Sequence, residues 1–347
     1  MPHMADGPNI YSGFPQDDER TLENALRPRN FAEFVGRDET VQNLKTWIEA
    51  ARAREEPLDH ILLSGPPGLG KTSLAYIIAR EMGVSIRTTS GPALARQRDL
   101  VGLLTSLQRG DVLFIDEIHR LDVRVEEYLY SAMEDFFISI IIDAGPHGRS
   151  IRMDLQPFTL IGATTREGLL APPLRSRFQI LERLDFYTTD ELVRIVQNSA
   201  RVLNVSVEPD AARLIASRCR GTPRVANRFL RRIRDVAHAA GGTVITSEVA
   251  TQGLLRLGVD QRGLAEMDRK ILLVLARNGA QPVGLKTISA VVGENEDTIE
   301  DVYEPFLIRQ GYLERTARGR VITGAGLDVI RDYLGDEKGG KPQKGLF

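Results

Sequence analysis

Short apolar runs alternate with helical stretches in the first half of the chain. The apolar runs lie at residues 61–63, 112–115 and 159–162. Continuous apolar strands separated by helices are typical of a parallel sheet that helices cover on both faces. The pattern therefore predicts an α/β domain built on a parallel sheet.

Helical periodicity alone continues beyond Tyr187. Residues 188–191 supply capping oxygens and first-turn acids for one helix. Further helices are predicted over about 210–220 and 223–240, and a short one follows Thr246. These segments predict a small all-helical bundle.

A third pattern follows residue 260. Helical segments near 266–278, 285–292 and 296–309 precede two short strands, 312–315 and 320–323. Three helices followed by a β-hairpin are typical of a winged helix-turn-helix domain. We assign residues 21–187 to the α/β domain, 188–258 to the bundle and 261–335 to the winged domain, with flexible tails at 1–20 and 336–347.

The composition narrows the class of protein. The chain has 347 residues, 42% of them hydrophobic, which suits two or three globular domains and excludes a disordered chain. No stretch approaches the roughly 20 apolar residues of a membrane-spanning helix, and the N-terminus lacks a secretory-signal pattern. A lone Cys219 suits a reducing compartment, so we expect a cytoplasmic protein without a membrane partner. A net charge of −2 confines any nucleic-acid contact to local basic patches.

A glycine-rich loop follows the first apolar strand. Its sequence, GPPGLGKT at 65–72, fits the phosphate-loop pattern G-x-x-x-x-G-K-[ST]. Backbone amides and the start of the next helix would surround phosphate oxygens, Lys71 would add a positive charge, and the Thr72 hydroxyl would bind Mg²⁺. The residues predicted to bind the nucleotide here are Gly65, Gly68, Gly70, Lys71, Thr72 and Ser73.

Two carboxylates follow the second apolar strand. Asp116 would lie near the Mg²⁺, and Glu117 would polarise a water molecule. Taken alone, this pair is equally typical of a solvated strand end, but with a phosphate loop upstream it favours nucleotide hydrolysis. The third apolar strand ends in Thr164 and Thr165, either of which could sense the γ-phosphate.

Two arginines, Arg175 and Arg177, follow a Pro-Pro turn. Such a position suits a guanidinium that reaches a neighbouring subunit's phosphate, although surface ion pairs are an equally good explanation from sequence alone. Residues 138–153 alternate apolar and polar positions in their later arm, which indicates a half-exposed hairpin, with an internal sheet strand as the alternative. An exposed apolar hairpin needs a partner to cover it.

Basic residues cluster in two places. Residues 309–320 contain four arginines and one acid, which is compatible with a DNA-contacting wing or with a solvated loop. Residues 211–234 contain eight arginines and no acid. Most of these lie on the polar sides of amphipathic helices, so we expect a solvated or inter-subunit face.

Together these motifs resemble the AAA+ ATPases and, within them, the RuvB family of motors for bacterial Holliday-junction branch migration. The most specific matches are IDEIHRL at 115–121 and GTPRVANR at 221–228, and the resemblance extends over about residues 20–335. It implies a P-loop ATPase domain, a helical lid and a DNA-binding winged-helix domain. The implied cofactors of the ATPase site are ATP and Mg²⁺. It also implies a homohexameric ring that moves duplex DNA during recombination and repair.

The resemblance also implies roles for individual residues. Thr164 would sense the γ-phosphate, Arg177 would reach the neighbouring nucleotide, and Arg224 would act as a second sensor on the lid. The hairpin within 138–153 would dock the junction-binding protein RuvA, and the junction resolvase would join the same system. Leu26 and Arg27 would contact the adenine, and Tyr187 would lie at the hinge beside the nucleotide. A subunit-facing edge of the nucleotide site would be formed by Glu134, Asp135 and Phe136. Arg315 and Arg320 would contact DNA.

Two other function classes share part of this pattern. A clamp-loader-like remodelling ATPase would share the hydrolysis site but normally carries a helical collar in place of a winged domain. An ATP-gated winged-helix transcription regulator would need base-reading side chains on its recognition helix. Residues 296–301 are acidic and would be repelled by DNA, which counts against a regulator.

Overall fold

The computed structural model describes residues 23–141, 150–279 and 281–336. The chain divides into two units. Of the described residues, those within 27–65 and 69–185 form one unit, and those within 23–26, 66–68 and 186–336 form the other. The predicted tails lie outside the described residues, apart from Asp336. Among the described residues, no helix has the length and apolar character needed to cross a bilayer.

The unit that contains most of residues 27–185 is an α/β domain, as the sequence predicts. Its helices are α1 (Asp38–Ala53), α2 (Lys71–Met82), α3 (Gln97–Thr105), α4 (Val123–Glu134) and α5 (Pro172–Arg175). Its strands are β1 (Ile61–Ser64), β2 (Ile86–Ser90), β3 (Val112–Asp116), β4 (Phe137–Ile141), β5 (Ser150–Asp154), β6 (Thr159–Thr164) and β7 (Ile180–Arg183).

Five of these strands form a parallel sheet in the order β2–β3–β6–β1–β7. The apolar runs of β1, β3 and β6 are buried, and β1 and β6 are buried at every position, as is typical of a parallel sheet that is covered on both faces. Ser64 of β1 pairs with Thr164 of β6, and Ile115 of β3 pairs with Gly162. This register brings the carboxyl ends of β1, β3 and β6 to one edge of the sheet.

The remaining two strands of this unit, β4 and β5, form a separate antiparallel sheet. This confirms the hairpin and excludes the alternative of an internal strand of the main sheet. Ile138 is fully buried in the domain core, whereas every residue of β5 is exposed. The turn of this hairpin, residues 142–149, lies outside the described residues.

After residue 186, the second unit continues with four helices, α6 (Thr189–Val202), α7 (Pro209–Arg218), α8 (Pro223–Ala239) and α9 (Ser247–Arg256). Thr188 and Glu191 cap α6 reciprocally, which explains why the helix begins where the sequence predicts. The prediction of an all-helical bundle is wrong in one respect. Strands β8 (Ser206–Val207) and β9 (Val244–Ile245) pair in parallel, and each is too short to leave an alternating signal.

The winged domain follows in the same unit. Its helices are α10 (Glu266–Arg277), α11 (Leu285–Val292), α12 (Glu296–Thr298), α13 (Glu304–Arg309) and α14 (Gly324–Asp336), with a π-helical stretch at Ile299–Tyr303. The wing consists of β10 (Leu313–Thr316) and β11 (Gly319–Ile322). Val283 adds a backbone bridge to Arg320 beside the wing. The helix–hairpin order is confirmed, and α14 is an addition that packs against α10.

Candidate nucleotide and DNA sites

The phosphate loop begins directly at the carboxyl end of β1. The amide of Gly65 donates to the carbonyl oxygen of Thr164 at 3.1 Å, which ties the loop to the end of β6. Gly65 has a φ of 131°, and an added Cβ would collide with the carbonyl of Leu184. A side chain cannot be accommodated there, so the loop requires glycine at this position.

Lys71 opens helix α2 at the end of the loop. Its side chain is buried, and Nζ donates to the carbonyl oxygen of Gly65 at 2.6 Å. A buried ammonium group is costly unless it has hydrogen-bond partners. The fold therefore holds this positive charge over the loop, as the phosphate-loop pattern predicts. Thr72 and Ser73 follow it in the first turn of α2 and are half-buried.

The acidic pair lies at the carboxyl end of β3, which is separated from β1 by β6 in the sheet. Asp116 Oδ1 accepts a hydrogen bond from the amide of Glu117 at 3.0 Å. Glu117 has a φ of 48°, which turns the chain away from the sheet, and its side chain is 44% exposed and paired with Arg120 at 3.1 Å. Asp116 thus stays at the sheet edge, while the Glu117 carboxylate faces solvent.

The two threonines at the end of β6 have different surroundings. Thr164 Oγ1 forms a hydrogen bond with His119 Nδ1 at 2.9 Å and accepts another from the amide of Arg166 at 3.0 Å. Thr165 Oγ1 is buried and has no hydrogen-bond partner among the described residues. A buried hydroxyl without a partner is unfavourable unless a ligand satisfies it. The geometry therefore favours Thr165 for contact with a phosphate and leaves Thr164 linked to His119.

Arg177 lies in a cradle on α4 and α5. Its guanidinium donates to Glu134 Oε2 at 2.9 Å and to the Pro173 carbonyl at 2.6 Å, and it stacks 4.6 Å from the Tyr130 ring centroid. Burial, together with a hydrogen bond from the Tyr130 hydroxyl to Glu126, raises the pKa of Tyr130 to about 12. The Tyr130 ring is thus neutral at physiological pH, and the Arg177 charge is paired with Glu134.

Arg175 has a different environment from Arg177. Its side chain is 52% exposed and pairs with Glu167 at 2.6 Å, whereas the Arg177 side chain is 18% exposed. Glu134, which the family resemblance assigns to a subunit-facing edge, contacts Arg177 and not Arg175. Among the other predicted edge residues, Asp135 is exposed and Phe136 packs edge-on against Phe158 in the core.

The predicted hinge residue Tyr187 and the predicted lid residue Arg224 lie near one turn of the second unit. The amide of Tyr187 donates to the Gly221 carbonyl at 2.9 Å, and Arg224 Nε lies 3.4 Å from Glu23 Oε1. The amide of Arg224 also lies 3.4 Å from the carbonyl of Gly68, a loop residue of the same unit. The predicted adenine contacts, Leu26 and Arg27, are half-buried.

The two predicted DNA-contacting arginines share one buried carboxylate. Arg315 and Arg320 both lie 2.6 Å from Glu304, whose side chain is 1% exposed. Glu300 adds a second carboxylate at 2.8 Å from Arg315. The Arg315 side chain remains 46% exposed, but that of Arg320 is only 13% exposed. Arg315 is thus available at the surface of the wing, whereas Arg320 mainly anchors the wing to α13.

No local sequence pattern singles out Arg220. It belongs to the arginine-rich stretch predicted to be a solvated or inter-subunit face, yet its side chain is 4% exposed and pairs with Asp268. The prediction of a solvated or inter-subunit face is therefore wrong for Arg220. The contacts of His119 with Thr164 and of Tyr130 with Arg177 could not be predicted from local patterns either, because each joins residues on different elements.

These residues fit a bound nucleotide with a magnesium ion. Three features suit phosphate oxygens: the loop has no side chain at Gly65, Lys71 carries a buried charge, and the Thr165 hydroxyl has no partner within the described part of the chain. The Asp116 carboxylate and the Thr72 hydroxyl are oxygen donors, which Mg²⁺ prefers.

Known proteins match the chain along most of its length. Residues 26–184 match the Holliday junction DNA helicase RuvB P-loop domain, 187–260 the RuvB AAA lid domain and 261–331 the RuvB C-terminal winged helix domain. The Holliday junction branch migration complex subunit RuvB of Myxococcus xanthus is 61% identical over 303 residues, which cover 87% of this chain and 88% of that protein.

Solved structures match as well. The Thermotoga maritima RuvB Holliday junction branch migration motor is 47% identical, with a TM-score of 0.81, and the match covers 88% of this chain and 98% of that one. A substituted form of the same Thermotoga protein matches with 48% identity, a TM-score of 0.82 and the same coverage.

Proposed function

The chain belongs to the RuvB family of ATP-driven Holliday junction branch migration motors, and from this premise we propose how its residues divide the work. Its P-loop domain binds nucleotide, and its activity serves DNA recombination and repair. All three matched domains belong to this one family, so neither the clamp-loader nor the transcription-regulator alternative is supported.

We propose that ATP is cleaved at the shared edge of β1, β3 and β6. The loop amides and Lys71 hold the phosphates, and Glu117 orients the attacking water. Thr72 and Asp116 would hold Mg²⁺, which neutralises phosphate charge when bound. Thr164, whose hydroxyl is linked to His119, positions the strand end, and Thr165 contacts the γ-phosphate. The observation that carries this proposal is the buried Lys71 amino group bonded to the Gly65 carbonyl, at the sheet edge where β3 ends in Asp116.

We further propose that the motor is a ring, with six subunits as the expected number. Arg177 would cross to the neighbouring nucleotide, at an edge formed by Glu134, Asp135 and Phe136. The direct Arg177–Glu134 contact supports this assignment, because it places the two predicted interface residues in one patch. In the same subunit, Tyr187, Arg224, Leu26 and Arg27 would surround the nucleotide base and phosphates.

The proposed partners are Holliday-junction DNA, the junction-binding protein RuvA and the resolvase of the same system. RuvA would cover the β4–β5 hairpin, where Ile151 and Met153 are 50% and 36% exposed. Exposed apolar side chains on a protruding hairpin are typical of a protein interface. A motor that acts on the chromosome would work in the cytoplasm of a bacterium.

Migration of a synthetic four-way junction tests the function and the hairpin together. The unaltered chain should migrate the junction only with ATP, and RuvA should accelerate it. Ile151→Asp should lower RuvA-dependent migration at least about tenfold, because a charge at an interface core is unfavourable. Hydrolysis on plain duplex DNA should stay unchanged.

Val202→Asp is a matched control for the hairpin. Val202 is an equally exposed apolar residue, at 53%, but it lies at the end of α6. This variant should migrate junctions like the unaltered chain. Equal activity of the Ile151 variant with RuvA would contradict the docking role of the hairpin.

We propose that Arg315 contacts the DNA backbone and that Arg320 supports it. Arg315→Ala should weaken DNA binding regardless of base sequence and reduce the slope of log affinity against log salt by about 1. Arg320→Ala should also lower the melting temperature of the winged domain, because Glu304 would lose one partner of a buried charge. Basal hydrolysis should persist in both variants.

Arg331 offers the control for the wing. It is an exposed arginine of the winged domain, paired with Asp328 at 2.6 Å on α14. Arg331→Ala should change neither the salt slope nor the melting temperature. A salt slope in Arg315→Ala equal to that of the unaltered chain would rule out its phosphate contact.

A further inference from the structure

A buried ion pair joins the helical lid to the winged domain. Arg220 lies just after α7 in the lid, and Asp268 lies in the first turn of α10 in the winged domain. Their side chains are 4% and 0% exposed, and Arg220 Nη2 donates to Asp268 Oδ2. Loss of either partner would leave an uncompensated charge in the protein interior.

The winged domain encloses the rest of the Arg220 guanidinium. Its central carbon lies 4.7 Å from the ring centroid of Phe306 and 6.0 Å from that of Tyr303. Both rings are buried in the hydrophobic core of the winged domain. Arg220 therefore follows a lid helix in sequence but packs as part of the winged domain.

A second contact joins the same two domains one residue later. Gly221 has a φ of 76°, and an added Cβ would collide with the Arg309 guanidinium and approach Phe186 Cβ to 2.9 Å. Arg309 itself lies 4.4 Å from the Phe186 ring centroid. The end of α13 thus packs against the turn that follows α7 and against the segment that precedes α6.

The other end of this turn carries the proposed nucleotide sensor. Arg224 lies in the first turn of α8, and its amide is 3.4 Å from the Gly68 carbonyl in the phosphate loop. Gly221, between the two arginines, accepts a hydrogen bond from the Tyr187 amide. One short turn therefore holds Arg220 in the core of the winged domain and Arg224 at the loop.

We propose that Arg220 and Asp268, assisted by Arg309, are positioning residues that make the winged domain follow the nucleotide state sensed by Arg224. This inference rests on the proposed sensor role of Arg224. A flexible joint would let the lid move without the wing. A buried charge pair resists such slippage, because separating its partners leaves each charge unpaired in the protein interior.

The test compares DNA affinity in two nucleotide states of the full chain. Coupling between two binding sites appears as the ratio of DNA affinities with a non-hydrolysable ATP analogue and with ADP. The double variant Arg220→Met and Asp268→Asn removes both charges, keeps similar volumes and leaves an acceptor for the Ala265 amide, which now donates to Asp268 at 2.7 Å. We expect its affinity ratio to fall to within twofold of one. Its basal hydrolysis and its DNA affinity with ADP should stay within twofold of the unaltered chain.

Arg213→Met is the matched control. Arg213 also lies on α7 but forms an exposed pair with Asp190 at 3.2 Å within the lid. This variant should keep the full affinity ratio. If the double variant fails to fold, Arg309→Met tests the coupling instead. Arg309 is exposed, and its replacement should also lower the affinity ratio.

Three results would overturn the coupling role. The first is an affinity ratio of one in the unaltered chain. The second is an unchanged ratio in the double variant or, if that variant does not fold, in Arg309→Met. The third is a parallel loss of basal hydrolysis and DNA binding in the double variant. Failure of the proposed function would look different, because the unaltered chain would then lack ATP-dependent junction migration.

Discussion

Lys71→Ala lowers ATP hydrolysis by at least about a hundredfold, with or without DNA, if the phosphate loop works as its geometry indicates. The Lys71 amino group is buried and bonded to the Gly65 carbonyl, so the fold itself holds its charge at the phosphate loop. A preorganised charge stabilises the transition state without reorganisation during the reaction. Alanine keeps the helix start but removes that charge.

Steady-state hydrolysis and nucleotide binding measure this effect. Lys270→Ala is the matched control, because Lys270 is an exposed lysine that pairs with Glu266 at 2.8 Å on α10. It should hydrolyse ATP at the rate of the unaltered chain. A thermal melt should show that both variants are folded, and DNA-stimulated hydrolysis that survived in Lys71→Ala would end the assignment of this site.

The main features of this site follow from short-range sequence signals. Gly65 directly follows a strand, Lys71 begins a helix and Asp116 ends a strand, and the type of each element is clear from local pattern. The register of parallel strands then brings their ends together without further information. The choice between Thr164 and Thr165 depends on which hydroxyl His119 occupies, and that contact crosses 45 positions of sequence. Spacing alone cannot decide it.

The role of Arg220 could not be predicted for a related reason. Periodicity assigns residues to helix faces, but Arg220 lies beyond the end of α7 with a φ of 57°. Its partner Asp268 is 48 positions away and belongs to another domain. A buried pair of this kind leaves no local signal, because each charge alone resembles an ordinary surface residue.

The acidic residues of the winged domain have a structural role as well as an effect on DNA contact. Glu300 lies within the acidic segment that counts against base reading, and Glu304 follows one turn later. Both carboxylates face the wing and pair with Arg315 and Arg320. Their charge therefore serves to fix the wing, in addition to disfavouring contact between that helix and DNA.

Removal of Arg177 is the second change for which we expect a large loss of ATP hydrolysis. Its guanidinium is held by Glu134, the Pro173 carbonyl and the Tyr130 ring, and each contact is with an element of its own domain. A finger that acts on the neighbouring nucleotide must exchange these contacts for phosphate oxygens. Loss of such an arginine costs about 10³–10⁵ in rate in phosphoryl-transfer enzymes that use one.

Mixed rings distinguish action on a neighbour from action within one subunit. Arg177→Ala and Asp116→Asn should each be almost inactive alone. In a one-to-one mixture, about a quarter of the boundaries in a randomly assembled ring would combine an intact Asp116 with an intact Arg177. Hydrolysis should therefore recover to about a quarter of the rate of the unaltered chain, provided that sites act independently.

Arg175 supplies the comparison within the same turn. It pairs with Glu167, away from Glu134, so Arg175→Ala alone should retain most of its hydrolysis. If instead Arg175→Ala were inactive and its mixture with Asp116→Asn recovered, the finger would be Arg175. A mixture of Arg177→Ala with Asp116→Asn that stayed inactive, although both chains entered the same rings, would place the action of Arg177 within its own subunit.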